Sequence, residues 1–219
     1  SSPCCCSRLK RVALGDTADG TVRYGDRVVL RNSSGAALSR LPSQHAPNQE
    51  LGVAVTAVPG AEPTARCAFI VKPHDPTLAL GSQVHFGDKF FLEVEDSEPA
   101  ERLYSERVTL HSGAARHSGE QAVVLRHDTS AFEALWLAVA LDPDERLEVE
   151  GTPVPANETL LILHAATHQA LAALPQYLVR SEFGVEHEVT AHTHLTQFKT
   201  EGPENQWTFE MHRVLAGAS

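Results

Sequence analysis

Apolar residues come in short runs along this chain, broken at close intervals by glycine, proline, serine, asparagine and aspartate. Val28-Val29-Leu30, Leu51 to Val58 and Ala68 to Val71 are rich in β-branched and apolar side chains. They are stopped by Ser33-Ser34-Gly35, Pro59 to Pro63 and Pro73 respectively. Such runs between turn residues read as strands. Ala36 to Leu41 returns from the first turn, and Pro42 to Asn48 reads as a loop. A helical period is hard to find. The best helical stretch, Thr129 to Leu137 with Ser130 as its cap, reads better as a strand because Trp136 and Val139 favour β structure.

The pattern then restarts. Val22-Arg23-Tyr24-Gly25-Asp26 is answered by Val84-His85-Phe86-Gly87-Asp88, with Asp88 placed 62 residues after Asp26. A third unit, centred on Leu147 to Leu195, carries Pro155-Ala156-Asn157-Glu158 where the others carry aromatic-Gly-Asp, and Glu158 follows Asp88 by 70 residues. In the second unit Leu103-Tyr104, Arg107 to Leu110, Ala122 to Arg126 and Leu135 to Ala140 are the apolar runs, with a loop over Gly113 to Gly119. In the third, an extended Pro153-Val154-Pro155 leads into Leu160 to Leu163. A turn over Ala165 to Gln169, a short Leu-Ala segment, a loop, an alternating stretch over Val189 to Leu195 and a last run over Gln206 to His212 follow.

Units that cannot each bury their own apolar face must share a core. The chain is therefore expected to be all-β and β-trefoil-like. Three pseudo-repeats of about four strands (21–73, 81–141 and 147–212) would form a six-stranded barrel closed at one end by three hairpins. Closure also removes exposed sheet edges. This reading makes residues 21–219 one domain and residues 1–20 an N-terminal tail, held by a partner or by the body of the domain. Two small β-domains split near Pro73-His74-Asp75-Pro76 are the alternative.

Composition narrows the partners. The 219 residues are 42% hydrophobic and 21% charged, with a formal net charge of −10. That balance excludes nucleic acid and anionic membrane as bulk electrostatic partners, since both require a basic face. No run of about 18 apolar residues suggests a membrane-spanning helix, and no signal-peptide core is present. Cys4, Cys5 and Cys6 are adjacent and Cys67 stands alone, which is no disulfide framework and fits a reducing compartment. Lipid attachment at Cys4 to Cys6 lacks a neighbouring amphipathic helix or basic cluster. The first residue is Ser rather than Met, as in part of a longer polypeptide.

Candidate chemistry is thin. His192 and His194 would share a strand face with Glu188 and Thr190, but a metal site needs a third strong ligand. His187, His164 and His212 are not at diagnostic spacing for it. His85 with Asp88, and His127 with Asp128, lack a nucleophile or oxyanion donor nearby. Ser33, Ser34 and Ser181 have no nucleophile-elbow context. No phosphate-binding glycine loop and no CxxC is present. Asp26 and Asp88 read as turn-stabilising residues rather than calcium ligands. Tyr24, Phe86, Phe90 and Phe91 could form a sugar platform, but their positions at strand starts suit core packing. The residues support no catalytic or metal site and no cofactor, and leave a binding or structural module.

LEVEGTPVPAN from Leu147, ILHAATHQALAAL from Ile162, Phe183-Gly184, EVTAHTHL from Glu188 and ENQW near the end together resemble the cilia- and flagella-associated protein 161 family. YGDRVVLRN at Tyr24 and VHFGDKFFL at Val84 fit earlier segments of that family in the same order. The resemblance implies a non-enzymatic microtubule inner protein in the cytoskeleton of the ciliary or flagellar axoneme. It would bind α- and β-tubulin near the seam of the A-tubule lumen, beside neighbouring inner proteins, and stabilise doublet microtubules for motility. Tubulin is acidic, so a chain at −10 would need local complementarity and many copies. Arg8, Lys10 and Arg11 in the tail are the best contact candidates. His164, Thr167, His168 and Gln169 in one loop and Lys199 in another are weaker ones. A soluble carbohydrate- or ligand-binding trefoil is the alternative function.

Overall fold

The computed structural model describes residues 10–45, 52–60, 62–95, 97–127 and 131–214. Arg8, Cys4 to Cys6, Asp128 and the Ser130 cap lie outside them. Strand β1 (Asp16–Thr17) belongs to the N-terminal arm. The first unit holds β2 (Arg27–Asn32), β3 (Ala37–His45), β4 (Val53–Val58) and β5 (Ala68–Pro73). The second holds β6 (Lys89–Val94), β7 (Glu101–Ser105), β8 (Val123–His127) and β9 (Trp136–Ala140). The third holds β10 (Thr159–His164), β11 (Leu171–Ser181), β12 (Gly184–Ala191) and β13 (Trp207–Glu210), before a short β14 (His212–Arg213).

The outer strands of the three units close on one another. β2 pairs with β5, β5 with β6, β6 with β9, β9 with β10, β10 with β13, and β13 with β2, all antiparallel. That is the six-stranded barrel expected from the repeats. The inner strands form the hairpins β3–β4, β7–β8 and β11–β12. These meet one another through β4–β8, β4–β12 and the Ala122–Thr190 bridge, so the three hairpins cap one end of the barrel. The fold is a β-trefoil.

Period-two alternation fills the barrel. Val28 and Leu30, Phe90 and Leu92, and Leu160 and Ile162 point inward at matching places on the three first strands, and all are buried. Phe69, Trp136 and Trp207 match on the three last strands, opposite Val28, Phe90 and Leu160 in the registers. All these side chains belong to one core cluster drawn from every unit. Each indole N–H finds a carbonyl: Trp136 Nε1 donates to Leu103 O at 3.0 Å and Trp207 Nε1 to Leu171 O at 2.9 Å.

The strands leading into the barrel are tied in a ring. The N–H of Val22 donates to Val154 O (2.9 Å), that of Val154 to Val84 O (2.8 Å), and that of Val84 to Val22 O (2.9 Å). Beyond the valines the same bend recurs at Gly25, Gly87 and Asn157, with φ of 96°, 89° and 63°. Glycine takes this left-handed backbone without steric cost, and Asn tolerates it best among the others. The unequal spacing of 62 and 70 residues therefore aligns structurally equivalent positions.

Several local expectations are corrected. Pro42 to His45 extends β3 rather than forming a loop, and a register shift between Leu41 and His45 accommodates the proline. Arg107 to Leu110 is no strand but an exposed loop folded on Thr109, whose Oγ1 accepts the N–H of Ser112 at 3.1 Å. The loop expected before Val189 is instead a long hairpin of β11 and β12, with Pro175 at a bulge between Leu174 and Leu178. The Thr129–Leu137 stretch holds one 3₁₀ turn at Phe132–Ala134 before β9. The four-residue helix Arg146–Val149 is too short to show a period.

The arm lies on the body. Val12 N–H donates to Pro63 O (3.1 Å), β1 pairs in parallel with β14, and Leu14 packs against Val29, Ala37 and Cys67. Charged groups stitch the hairpin cap. Arg66, 4% exposed, donates from Nη2 to Glu186 Oε1 at 2.9 Å and stacks 3.9 Å from the Phe183 ring centroid. Arg66 Nε also donates to Arg40 O, and Arg40 itself pairs with buried Glu101. Glu188 accepts the N–H groups of His117 and Ser118 at 2.8 and 2.9 Å. These bonds join the third hairpin to the first, the first to the second, and the second to the third.

Replacing Trp207 by Phe should cost about 0.5–1.5 kcal/mol, because Leu171 O loses the indole donor but keeps Asn205 Nδ2 at 3.2 Å; denaturant unfolding would measure it. Glu186→Ala should cost about 3–5 kcal/mol by stranding the Arg66 charge in the cap. A cost under about 1 kcal/mol would show that Arg66 finds another partner.

Candidate functional site

The symmetry of the barrel is broken at one place. In the first unit Asp26 Oδ2 accepts the Arg23 N–H at 2.8 Å. In the second, Asp88 Oδ2 accepts the His85 N–H at 3.0 Å and the Tyr24 hydroxyl at 3.2 Å. Glu158 occupies the equivalent place in the third unit. The residue three before it is Pro155, which has no N–H to donate. The ring corresponding to Tyr24 is Phe86, which has no hydroxyl. Both partners are thus missing, and Glu158 is exposed with no hydrogen-bond or ion-pair partner among the described residues.

Glu158 lines a groove of about 550 Å³ between the second and third units. Phe86, Leu141, Val149 and Pro155 give it apolar surface, and Asp142, Glu145, Glu158 and Glu201 give it carboxylates. No Lys, Arg or His lines it. Its walls are clamped together by Arg146, whose Nη2 lies 2.9 Å from both carboxylate oxygens of Glu201 and whose Nε donates to Ala140 O at 3.0 Å. Arg146 sits on a four-residue helix and Glu201 at a single bridge to Leu195, both too short to leave a periodic trace in the sequence.

The residues singled out in the sequence sit elsewhere, and burial separates them. Lys10 is exposed on the arm. Arg11 is also exposed and pairs with Glu62 at 2.7 Å, a surface contact worth about 0–1 kcal/mol. His164 is fully buried and offers no contact surface: its ring lies 5.0 Å from that of Trp136. Its Nε2 lies 2.9 Å from Glu133 O, and a carbonyl can only accept, so Nε2 carries the hydrogen. Nδ1 then accepts from the Thr167 hydroxyl at 2.8 Å. Thr167 is half-buried by that bond. Gln169 Oε1 accepts the Thr193 N–H at 3.0 Å, which holds the loop to the strand end. His168 and Lys199 are exposed on their turns, both with left-handed backbone.

The other candidate groups are absorbed by structure. The rings of His192 and His194 are 4.9 Å apart, but Glu188 is turned away to the loop amides of His117 and Ser118. His194 Nε2 instead meets Glu120 Oε2 at 3.2 Å. Among the described residues no cluster of three His, Cys, Asp or Glu could hold a metal ion. His85 lies 3.3 Å from Asp88, whose carboxylate is already engaged in the bend. Ser33 Oγ donates to Pro203 O at 2.8 Å. Tyr24, Phe90 and Phe91 are buried in the core, so they form no exposed sugar platform.

Comparison with known proteins places these features in a family. The model of the cilia- and flagella-associated protein 161-like domain matches residues 43–212. Cilia- and flagella-associated protein 161 of Mus musculus is 33% identical over an alignment covering 91% of this chain and 72% of the relative. The Danio rerio protein of that name is 31% identical, covering 93% and 73%. Among solved structures, the SDF2-like protein from Arabidopsis thaliana superposes with a TM-score of 0.67 at 17% identity, over 90% of this chain and 99% of that one. At that identity the likeness concerns the fold alone.

The buried imidazole sets a pH dependence. Burial lowers the His164 pKa below its ordinary 6.5. The folded chain therefore binds this proton less readily than the unfolded chain. Stability from the neutral ring is whole above about pH 6.5 and declines as pH falls below it. His187, lowered by the same cause, acts in the same sense. Denaturant midpoints at pH 7.5 and 5.5 should fall further for the wild type than for His164→Gln. Equal falls would remove His164 from the account.

Proposed function

This chain belongs to the cilia- and flagella-associated protein 161 family, and on that premise we propose that it is a non-enzymatic structural protein of cilia and flagella. In this reading it is a microtubule inner protein. It binds α- and β-tubulin on the luminal wall of the A-tubule near the seam, beside neighbouring inner proteins, and stiffens the doublet against the load of beating. The observation that carries the reading is the family match over residues 43–212.

The geometry is compatible with that role. A closed barrel whose cap is stitched by buried ion pairs is a rigid body, and its connecting segments are free to make contacts. Lys10, Arg11, His168 and Lys199 are the exposed members of the tubulin-contact set. Gln169 and Thr167 shape the loop that presents His168. His164 serves that loop from beneath by holding Thr167. Weak contacts of this kind gain strength when many copies are held along one lattice. At a net charge of −10 the chain relies on local charge and shape, since net attraction to an acidic wall is absent.

Fractionation tests this directly. The protein should stay with axonemes through detergent and high salt, and tomography of doublets should show it at a fixed axial repeat inside the A-tubule. Complete release into the detergent-soluble fraction would overturn the assignment.

A further inference from the structure

We infer that the groove between the second and third units is a docking site for an extended, lysine- or arginine-bearing segment of a partner protein. Internal symmetry supplies the argument. Two of the three equivalent carboxylates, Asp26 and Asp88, are consumed by their own bends. At the third place both donors are absent, through Pro155 and Phe86, and the longer Glu158 stands exposed in the groove wall. The substitutions that free the carboxylate also build the apolar surface beside it.

The rest of the groove fits the same occupant. Arg146 neutralises Glu201, while Asp142, Glu145 and Glu158 have no cationic partner among the described residues. Phe86 and Val149 supply apolar lining to the same groove. Two large apolar side chains are exposed close to the groove residues in sequence: Leu147, 87% exposed, two residues from Glu145 and Val149, and Phe198, 78% exposed, two residues before Thr200. Lys199, next to Thr200 in sequence, sits on an exposed turn and does not line the groove. An extended segment alternating basic and apolar residues would place its apolar side chains on the lining and its cations against the three carboxylates. Because Arg146 and Glu201 already fix the walls, little ordering is lost on binding. The described part of this chain's own arm is engaged elsewhere, at Glu62, Pro63 and Ala65.

A fluorescein-labelled peptide of alternating lysine and leucine, about 12 residues long, is the probe, with its glutamate-for-lysine counterpart as the comparison. The lysine peptide should bind the whole chain at low salt, more weakly as salt rises. Glu158→Lys and Glu145→Lys should each weaken it by roughly 3- to 10-fold. Glu182→Lys, the same charge change at the tip of the β11–β12 hairpin, should alter it by less than about twofold. Amide shifts on binding should centre on Phe86, Leu141 and Glu158. Both substituted glutamates are exposed, so thermal unfolding should be unchanged; if Glu158→Lys fails that check, Glu145→Lys carries the test. Absence of binding, equal binding of the glutamate peptide, or equal loss in Glu182→Lys would overturn the proposal.

Discussion

Barrel closure depends on a ring of three backbone hydrogen bonds. Val22, Val84 and Val154 each donate to the preceding unit's carbonyl around the ring, and all three are fully buried. None of these bonds can form within one unit. Each unit alone would leave a donor, an acceptor and an apolar strand face uncovered, and buried unpaired backbone groups are costly. The three units therefore stabilise one another or not at all. The shared core follows from the same constraint, since β5–β6, β9–β10 and β13–β2 pair strands of different units around one cluster of buried side chains.

Polar bonds decide how the cap sits on that barrel. Buried Arg66 and Glu186 would be unfavourable apart, and together they hold the third hairpin against the first. Arg40 and Glu101 hold the first against the second. Hydrophobic burial is non-directional, so it would tolerate several arrangements of three short hairpins. Paired charges and the backbone amides around Glu188 select one of them.

A symmetric scaffold shows its function where symmetry fails. The bend after each lead-in is built alike in the first two units and differently in the third, where Asn157 replaces glycine, Pro155 removes a donor and Glu158 is released. Structural demands are the same at all three places, so they do not account for the difference. The groove that results is acidic, while the exposed members of the contact set, Lys10, Arg11, His168 and Lys199, are basic or imidazole side chains.

The repeat, the all-β class and the trefoil were legible in the chain, because period-two runs, turn residues and the restarted Tyr24-Gly25-Asp26 pattern are local signals. The long β11–β12 hairpin is not legible in the chain, because Pro175 reads as a break and only the tertiary structure shows the bulge that accommodates it. From sequence His164 reads as a contact residue, because imidazole type does not reveal burial; packing against Trp136 places it inside. The groove was illegible for a further reason. Its carboxylates come from Asp142, Glu145, Glu158 and Glu201, on segments brought together by closure of the barrel. Glu158 alone carried a trace, as the odd member of an aligned triplet. Sequence determined which residues alternate and repeat, since that depends on chain neighbours; tertiary structure decided which charges meet and which stand free, since that depends on distance through space.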